Sequence, residues 1–261
     1  MVKEDTLEDA ITALSVLPLE KEIERAYHDV SLYLKGGIHL ELHFTILERS
    51  PKMDAVLARV WDYALPEAEG GFRMKMTEEF FLFHQIAHAA YHFTKGGCGI
   101  RPLIDVFLIT TKRRHEEELL DALLKEAHLS AFYTHLCALS RVWLLGDKHT
   151  PVTEEMERYI LRAGVYGSLE NRLSTTATQG RARHLARRLF PSFHSLSLRY
   201  PRLEKHPVLY PFFVIKRLFG VFHSKKRKEA VYEIRQTAAL TEEKRQATAV
   251  LFSSLGFNGK K

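Results

Sequence analysis

The feature that most constrains the fold is a pair of alternating segments joined by two glycines. Residues 27–34 read Tyr-His-Asp-Val-Ser-Leu-Tyr-Leu, Lys35-Gly36-Gly37 follows, and residues 38–46 read Ile-His-Leu-Glu-Leu-His-Phe-Thr-Ile. Strand side chains alternate between two faces, so this pattern predicts a β-hairpin. Its second strand would carry His39, Glu41 and His43 on one face and apolar side chains on the other.

Glu and His are poor strand formers, so a Glu between two His on one strand face is unusual. A carboxylate on a sheet can hold Mg²⁺, which prefers oxygen ligands and in phosphoryl transfer draws several of them from carboxylates. Glu41 is therefore a candidate catalytic and metal-binding residue. Asp29 on the neighbouring strand is a second candidate metal ligand, if the hairpin register brings it to the same face. The alternative is a solvent-facing strand with ordinary polar residues, which antiparallel sheets commonly show.

Helical patterns dominate the remainder of the chain. The pattern over residues 6–17 predicts an amphipathic helix before the hairpin, and residues 51–65 predict a second helix. Residues 72–76 predict a short strand, and from residue 77 onward only helices are predicted. We therefore expect an α+β fold, with a small mixed sheet in a region at residues 1–76 and a mostly helical domain at residues 77–261.

Histidines recur along the first predicted helix of the second region. His84, His88 and His92 are spaced four residues apart, and two His at this spacing can share a metal ion. The Glu of a His-Glu-x-x-His motif is absent, because Gln85 follows His84. Apolar residues border the same face, so partly buried, hydrogen-bonded histidines are the favoured interpretation. Arg101 and Asp105 follow four residues apart on the next predicted helix, where Asp105 is expected to be buried and paired with Arg101 or with a His of the preceding helix.

Charge is distributed unevenly. Residues 181–228 contain 13 Lys or Arg and one acid, a net of +12 in a chain whose total is +6. The excess of positive charge predicts an anion-facing surface, whose partner would be a nucleic acid or a protein. The alternative is a solvated helical face without a partner. The candidate anion-binding residues are Arg187, Arg188, Lys216 and Arg217. Within it, residues 209–222 are aromatic and basic, which is typical of a core-facing closing helix or of an amphipathic membrane anchor.

The sequence shows no recognisable membrane-spanning, signal-peptide or cysteine motif. No apolar run is long enough for a transmembrane helix, and residues 1–5 lack the apolar stretch of a signal peptide. Cys98 and Cys137 have no metal or redox spacing and predict plain buried thiols. A cytoplasmic location is therefore expected.

The order of these pieces resembles the uncharacterised bacterial nucleotidyltransferase family of the polymerase-β-like superfamily. The resemblance rests on residues 38–43, residues 83–92 and residues 100–108, and covers roughly residues 1–112. It implies transfer of a nucleoside monophosphate from an NTP to an unknown acceptor, with Mg²⁺ as cofactor and Glu41 in the place of the third metal-binding acid.

The resemblance also implies a Gly-Ser turn and an Asp-x-Asp pair on an earlier strand, since acids at i and i+2 face the same side and can grip both metals. Gly167-Ser168 is followed by no Asp-x-Asp, and Glu67 and Glu69 sit in a Pro/Gly loop. Met1 to Ala10 is similar to the segment that follows the Asp-x-Asp strand. We therefore expect a family member without its N-terminal catalytic strands and without activity by itself. The alternative is a non-catalytic binding or scaffold protein that uses its basic helical surface.

Overall fold

The chain forms two small antiparallel sheets and a larger set of helices in a computed structural model. The structure describes residues 1–20, 24–48, 50–164, 168, 171, 193, 196, 200, 203, 206–222 and 242–257. Within this part of the chain no helix is long and apolar enough to cross a membrane. The predicted α+β class is confirmed. All pairings between the described strands are antiparallel, where mixed pairing was expected.

The described strands are β1 Glu24–Arg25, β2 Asp29–Leu34, β3 Ile38–His43, β4 Ala64–Pro66 and β5 Met74–Met76. The described helices are α1 Leu7–Leu14, α2 Pro51–Leu57, α3 Glu78–Thr94, α4 Arg101–Lys112, α5 Glu117–Glu126, α6 Ser130–Leu145, α7 Pro151–Ala163, α8 Tyr210–Phe222 and α9 Glu242–Ser254. Short 3₁₀ helices lie at Glu4–Thr6, Val60–Tyr63 and Pro207–Leu209.

The chain folds as two compact units, each built from two separate stretches of sequence. The first unit comprises Met1–His88 and Leu108–Ser130, and the second comprises Ala89–Phe107 and Ala131–Lys261. The sequence predicted a different division, at residue 76, where the last predicted strand ends. That division stays a prediction.

The hairpin predicted from the alternating pattern is present. Its strands pair Leu34 with Ile38 across the three-residue loop, in which Gly36 and Gly37 both have positive φ angles of 89° and 78°. Glycine adopts this left-handed region without the steric cost that a Cβ imposes, and short hairpin loops require it. The loop length fixes the register of the two strands, and the register decides which side chains share a face.

The apolar face of the hairpin forms the core of the first unit together with α1. Leu7 and Ile11 of α1 pack against Val30 and Leu32 of β2, and all four are buried. The predicted second helix is shorter than expected, because α2 ends at Leu57 and the chain continues through a 3₁₀ turn into β4. The opposite face of the hairpin carries the predicted site residues Asp29 and Glu41.

The second unit has an aromatic core. Phe93 at the end of α3 is fully buried, and its ring lies 4.6–6.1 Å between centroids from four other aromatic rings. Those rings belong to Phe132, Tyr159, Phe252 and Phe257. The Tyr159 hydroxyl donates a hydrogen bond of 3.0 Å to the Phe93 carbonyl. These interactions join α3, α6, α7 and the segment around α9 within one core.

Candidate functional site

The strands β2 and β3 carry the predicted site residues on one face. In their antiparallel register Ser31 lies opposite Glu41, and Asp29 lies opposite His43. Side chains of directly opposed residues point to the same side, so the carboxylates of Asp29 and Glu41 share a face. We call this surface, formed by residues 29, 31, 33, 39, 41 and 43, the polar face.

Glu41 lies at the centre of its strand with its side chain 52% exposed. The Nε2 atoms of His39 and His43 are 3.9 Å and 3.7 Å from its carboxylate oxygens. The His39 Nε2 is also 3.0 Å from the Ser31 hydroxyl, and its ring stacks on Tyr33 at a centroid distance of 4.6 Å. The histidines therefore flank the carboxylate without covering it, and a ligand from solvent can reach it.

Asp29 has the opposite environment, because its side chain is only 9% exposed. The Ser31 hydroxyl donates to its Oδ2 at 3.4 Å, and the His28 Nε2 is 3.3 Å from its Oδ1. The His28 ring stacks on His43 at a centroid distance of 5.3 Å. Asp29 is thus held in place, and the register that the sequence left open brings it to the face of Glu41.

Helix α3 contributes a histidine with a strongly shifted pKa to the first unit. Burial lowers the pKa of His84 to about 4; His88 and His43 act in the same direction, and Glu48 opposes them. The rings of His84 and His88 lie 6.2 Å apart. With a pKa of about 4, His84 is neutral at pH 7.

His88 differs from the expectation of a partly buried side chain, because it is exposed. The buried positions of this turn are taken by Ile86, Ala87 and Ala89. The His88 Nδ1 is 2.6 Å from the Glu48 Oε1, so the predicted hydrogen bonding of this residue is present. Glu48 lies in the irregular segment after β3, with its side chain 12% exposed. No sequence pattern marks Glu48 as a partner, since irregular segments have no period.

Arg101 and Asp105 form the predicted intrahelical pair in the second unit. The Arg101 Nε donates to the Asp105 Oδ2 at 3.3 Å. The expectation that Asp105 is buried was wrong, because Leu103 and Val106 occupy the buried face of α4 and Asp105 stands at its margin. An exposed pair of this kind contributes about 0.3–0.5 kcal/mol to helix stability.

The predicted anion-binding residues are only partly within the described chain. Lys216 is exposed on α8, with its Nζ 5.9 Å and 6.0 Å from the ring centroids of Tyr200 and Phe213. The backbone of Arg217 belongs to α8. Arg187 and Arg188 lie outside the described residues. The described contacts therefore do not assemble these four side chains into a site.

Cysteine chemistry does not contribute to the site. Cys98 and Cys137 are free thiols, and burial raises their pKa to about 12 and about 11. The thiolate is the reactive form, so both are inert at neutral pH.

The donor atoms of the polar face fit a particular kind of metal binding. In the part of the chain that the structure describes, no group of three or more His, Cys, Asp or Glu side chains is placed to hold a metal ion. Mg²⁺ commonly binds through one or two carboxylates together with the phosphates of its substrate. Asp29 and Glu41 supply two carboxylates on the polar face, which is the number of protein carboxylates in such a donor set.

We expect His84 and His88 to have a stabilising role and not to hold a metal ion such as zinc. Replacing His84 should cost about 1–3 kcal/mol of stability, because its packing and its polar contact with the Gln85 side chain are lost. Elemental analysis of purified protein checks the metal content. Stoichiometric zinc that disappears in the double variant His84→Ala, His88→Ala would contradict this prediction.

A family model described as an uncharacterised nucleotidyltransferase matches residues 1–144, which is more than half of the chain. The match includes both strands of the polar face and helix α3. No curated protein and no solved structure matches the chain.

Proposed function

Because the chain belongs to the uncharacterised nucleotidyltransferase family, we propose that its polar face serves the transfer of a nucleoside monophosphate from an NTP to an acceptor. The observation that carries the proposal is the position of Glu41. Its carboxylate is on a strand, half exposed, and on the same face as the carboxylate of Asp29. The family supports a nucleotidyltransferase type of function.

Glu41 and Asp29 would hold Mg²⁺ in this proposal. The cation, when bound, neutralises charge on the triphosphate oxygens during phosphoryl transfer. The Nε2 atoms of His39 and His43 lie 3.9 Å and 3.7 Å from the Glu41 carboxylate, so both rings border the proposed site. The buried Asp29 is fixed by Ser31, so it is preorganised rather than mobile.

The resemblance implies two further carboxylates in an Asp-x-Asp pair, and the edge of β3 is where we place them. Among the described strands β3 pairs only with β2. The Val2 amide donates to the His43 carbonyl at 2.9 Å, so residue 2 already runs beside β3. A strand that continues along this edge would bring acids at i and i+2 to the side of Glu41. The given sequence contains no such pair after a Gly-Ser turn.

We therefore expect this chain to bind Mg²⁺–NTP weakly without turning it over. Glu41→Gln or Asp29→Asn should weaken Mg²⁺-dependent binding about tenfold, which corresponds to about 1.4 kcal/mol for the loss of one carboxylate ligand. Calorimetric titration with each NTP, with and without Mg²⁺, measures this. Glu69→Gln is the matched control, because Glu69 is an exposed acid of the same unit that lies outside the polar face.

Incubation with labelled NTP, Mg²⁺ and candidate acceptors tests the absence of turnover. Product above the blank that Glu41→Gln removes would show that other acids complete the site. Reading the codons before Met1 adds a separate check, since Gly-Ser followed by Asp-x-Asp in frame would supply the expected pair.

The second candidate function is a non-catalytic binding or scaffold protein. The exposed Lys216 on α8, in a segment with a net charge of +12, favours this alternative. If this alternative holds, the affinity for nucleotide or nucleic acid should not change in Glu41→Gln. Binding should instead fall steeply with salt, because each neutralised phosphate releases counterions. Changing Arg187, Arg188, Lys216 and Arg217 together to Glu should remove it.

A further inference from the structure

Helix α8 carries apolar side chains on two sides. Those on one side are buried in a hydrophobic cluster, and those on the other side are exposed. Phe213 and Val214 are buried and belong to a cluster with Leu196 and Leu203. Tyr210 packs against the same cluster. These contacts account for the core-facing role that the aromatic sequence of residues 209–222 predicts.

The other side of α8 exposes large apolar side chains. Phe212 is 59% exposed and Ile215 is 51% exposed, and at a spacing of three residues they lie on one helix face. Val208 and Leu209 in the preceding 3₁₀ turn are also exposed. A solvent-facing surface rarely collects apolar side chains in this way unless they meet a partner.

We call the side of α8 that exposes Phe212 and Ile215 the α8 apolar face. The predicted core-facing role accounts for Phe213 and Val214, which are buried, and it does not account for Phe212 and Ile215.

Basic residues flank the α8 apolar face. Lys216 is exposed next to Ile215, and Lys225-Lys226-Arg227-Lys228 directly follow the helix in sequence. Residues 181–228 contain 13 Lys or Arg and one acid. An apolar helix face with adjoining basic residues matches the two features of an anionic bilayer surface, an acyl boundary and negatively charged headgroups.

We propose that the α8 apolar face docks on an anionic lipid surface. Phe212 and Ile215 enter the boundary between headgroups and acyl chains, and Lys216 contacts the anionic headgroups. A nucleic acid would satisfy the charge, and Phe212 offers a ring on which a base can stack. The exposed aliphatic Val208, Leu209 and Ile215 would gain no apolar contact from a nucleic acid, whereas the acyl boundary of a bilayer supplies it. A lipid surface satisfies both the charge and the exposed apolar area, and this docking is independent of nucleotidyl transfer.

Sedimentation of the full chain with vesicles tests the proposal. Binding is expected to vesicles of phosphatidylcholine with about 30% phosphatidylserine, and to be at least about tenfold weaker with phosphatidylcholine alone. Phe212→Ser with Ile215→Ser should weaken binding to the anionic vesicles at least about tenfold. Both positions are exposed, so the fold should survive, and circular dichroism checks this. Raising the salt should weaken binding further, because surface charges are screened.

The matched control is Leu161→Ser with Val250→Ser, which removes two exposed apolar side chains from α7 and α9 of the same unit. It should bind vesicles as the unchanged chain does. The proposal is overturned by an absence of binding to anionic vesicles at low salt, or by equal losses in the control. It is also overturned if the Phe212, Ile215 variant binds normally, since charge alone would then be responsible. Binding of a mixed-sequence oligonucleotide that competes with vesicles and survives in this variant would assign the basic residues to nucleic acid.

Discussion

Replacing Phe93 with Ala is expected to destabilise the second unit by about 3–5 kcal/mol. Phe93 is fully buried, and its ring lies against four other aromatic rings from three further segments of the chain. The substitution removes the transfer free energy of the ring and leaves a cavity that the surrounding rings fill only in part. Aromatic pairs add a contribution beyond buried area, so the effect should fall at the upper end for a single core substitution.

Intrinsic fluorescence can report on each unit separately. The chain has two tryptophans, Trp61 in the first unit and Trp143 in the second. In a Trp61→Phe background, the emission of Trp143 therefore follows unfolding of the second unit in denaturant. The two units need not unfold together, and a single transition cannot be assumed.

Phe212→Ala is the matched control for Phe93→Ala, because it makes the same substitution on an exposed position of the same unit. It should change the unfolding free energy by about 0.5 kcal/mol or less. A Phe93→Ala variant with a similarly small change would contradict the described aromatic core.

The sequence was sufficient for the features that depend on neighbouring residues. Alternation predicted the hairpin and the face of Glu41, and Gly36-Gly37 predicted its loop. The position of Asp29 followed from the register, which the three-residue loop fixes. The register could therefore have been read from the loop length, had that length been certain before the structure.

Features that depend on distant residues could not be read in the same way. Glu48 pairs with His88, 40 residues away, and nothing in the irregular segment after β3 marks it as a partner. Phe93 meets Phe252 and Phe257 near the other end of the chain. Periodicity shows that a helix has an apolar face and does not show which element covers it. For the same reason, the composition of α8 indicated a core helix while one of its faces remains exposed.

Stability of the first unit is expected to fall by about 2 kcal/mol between pH 7 and pH 5 because of His84 alone. Its pKa is lowered from 6.5 to about 4 in the folded protein, chiefly by burial. Between these values the unfolded chain binds a proton that the folded chain does not. Stability is therefore fully present above the unfolded pKa and is lost as the pH falls towards the folded pKa.

His84→Gln should remove this part of the pH dependence, because Gln stays neutral and can still form hydrogen bonds. Unfolding of a Trp143→Phe background, followed through Trp61, measures the first unit at pH 7 and at pH 5. The two proteins differ only at residue 84, so the difference between the two slopes isolates His84. His84→Asn should behave in the same way, which separates the loss of charge from a change in side-chain length. If His84→Gln keeps the full pH dependence of the unchanged chain, His84 is not a histidine that burial keeps neutral, and the packing of α3 described for the first unit is incorrect.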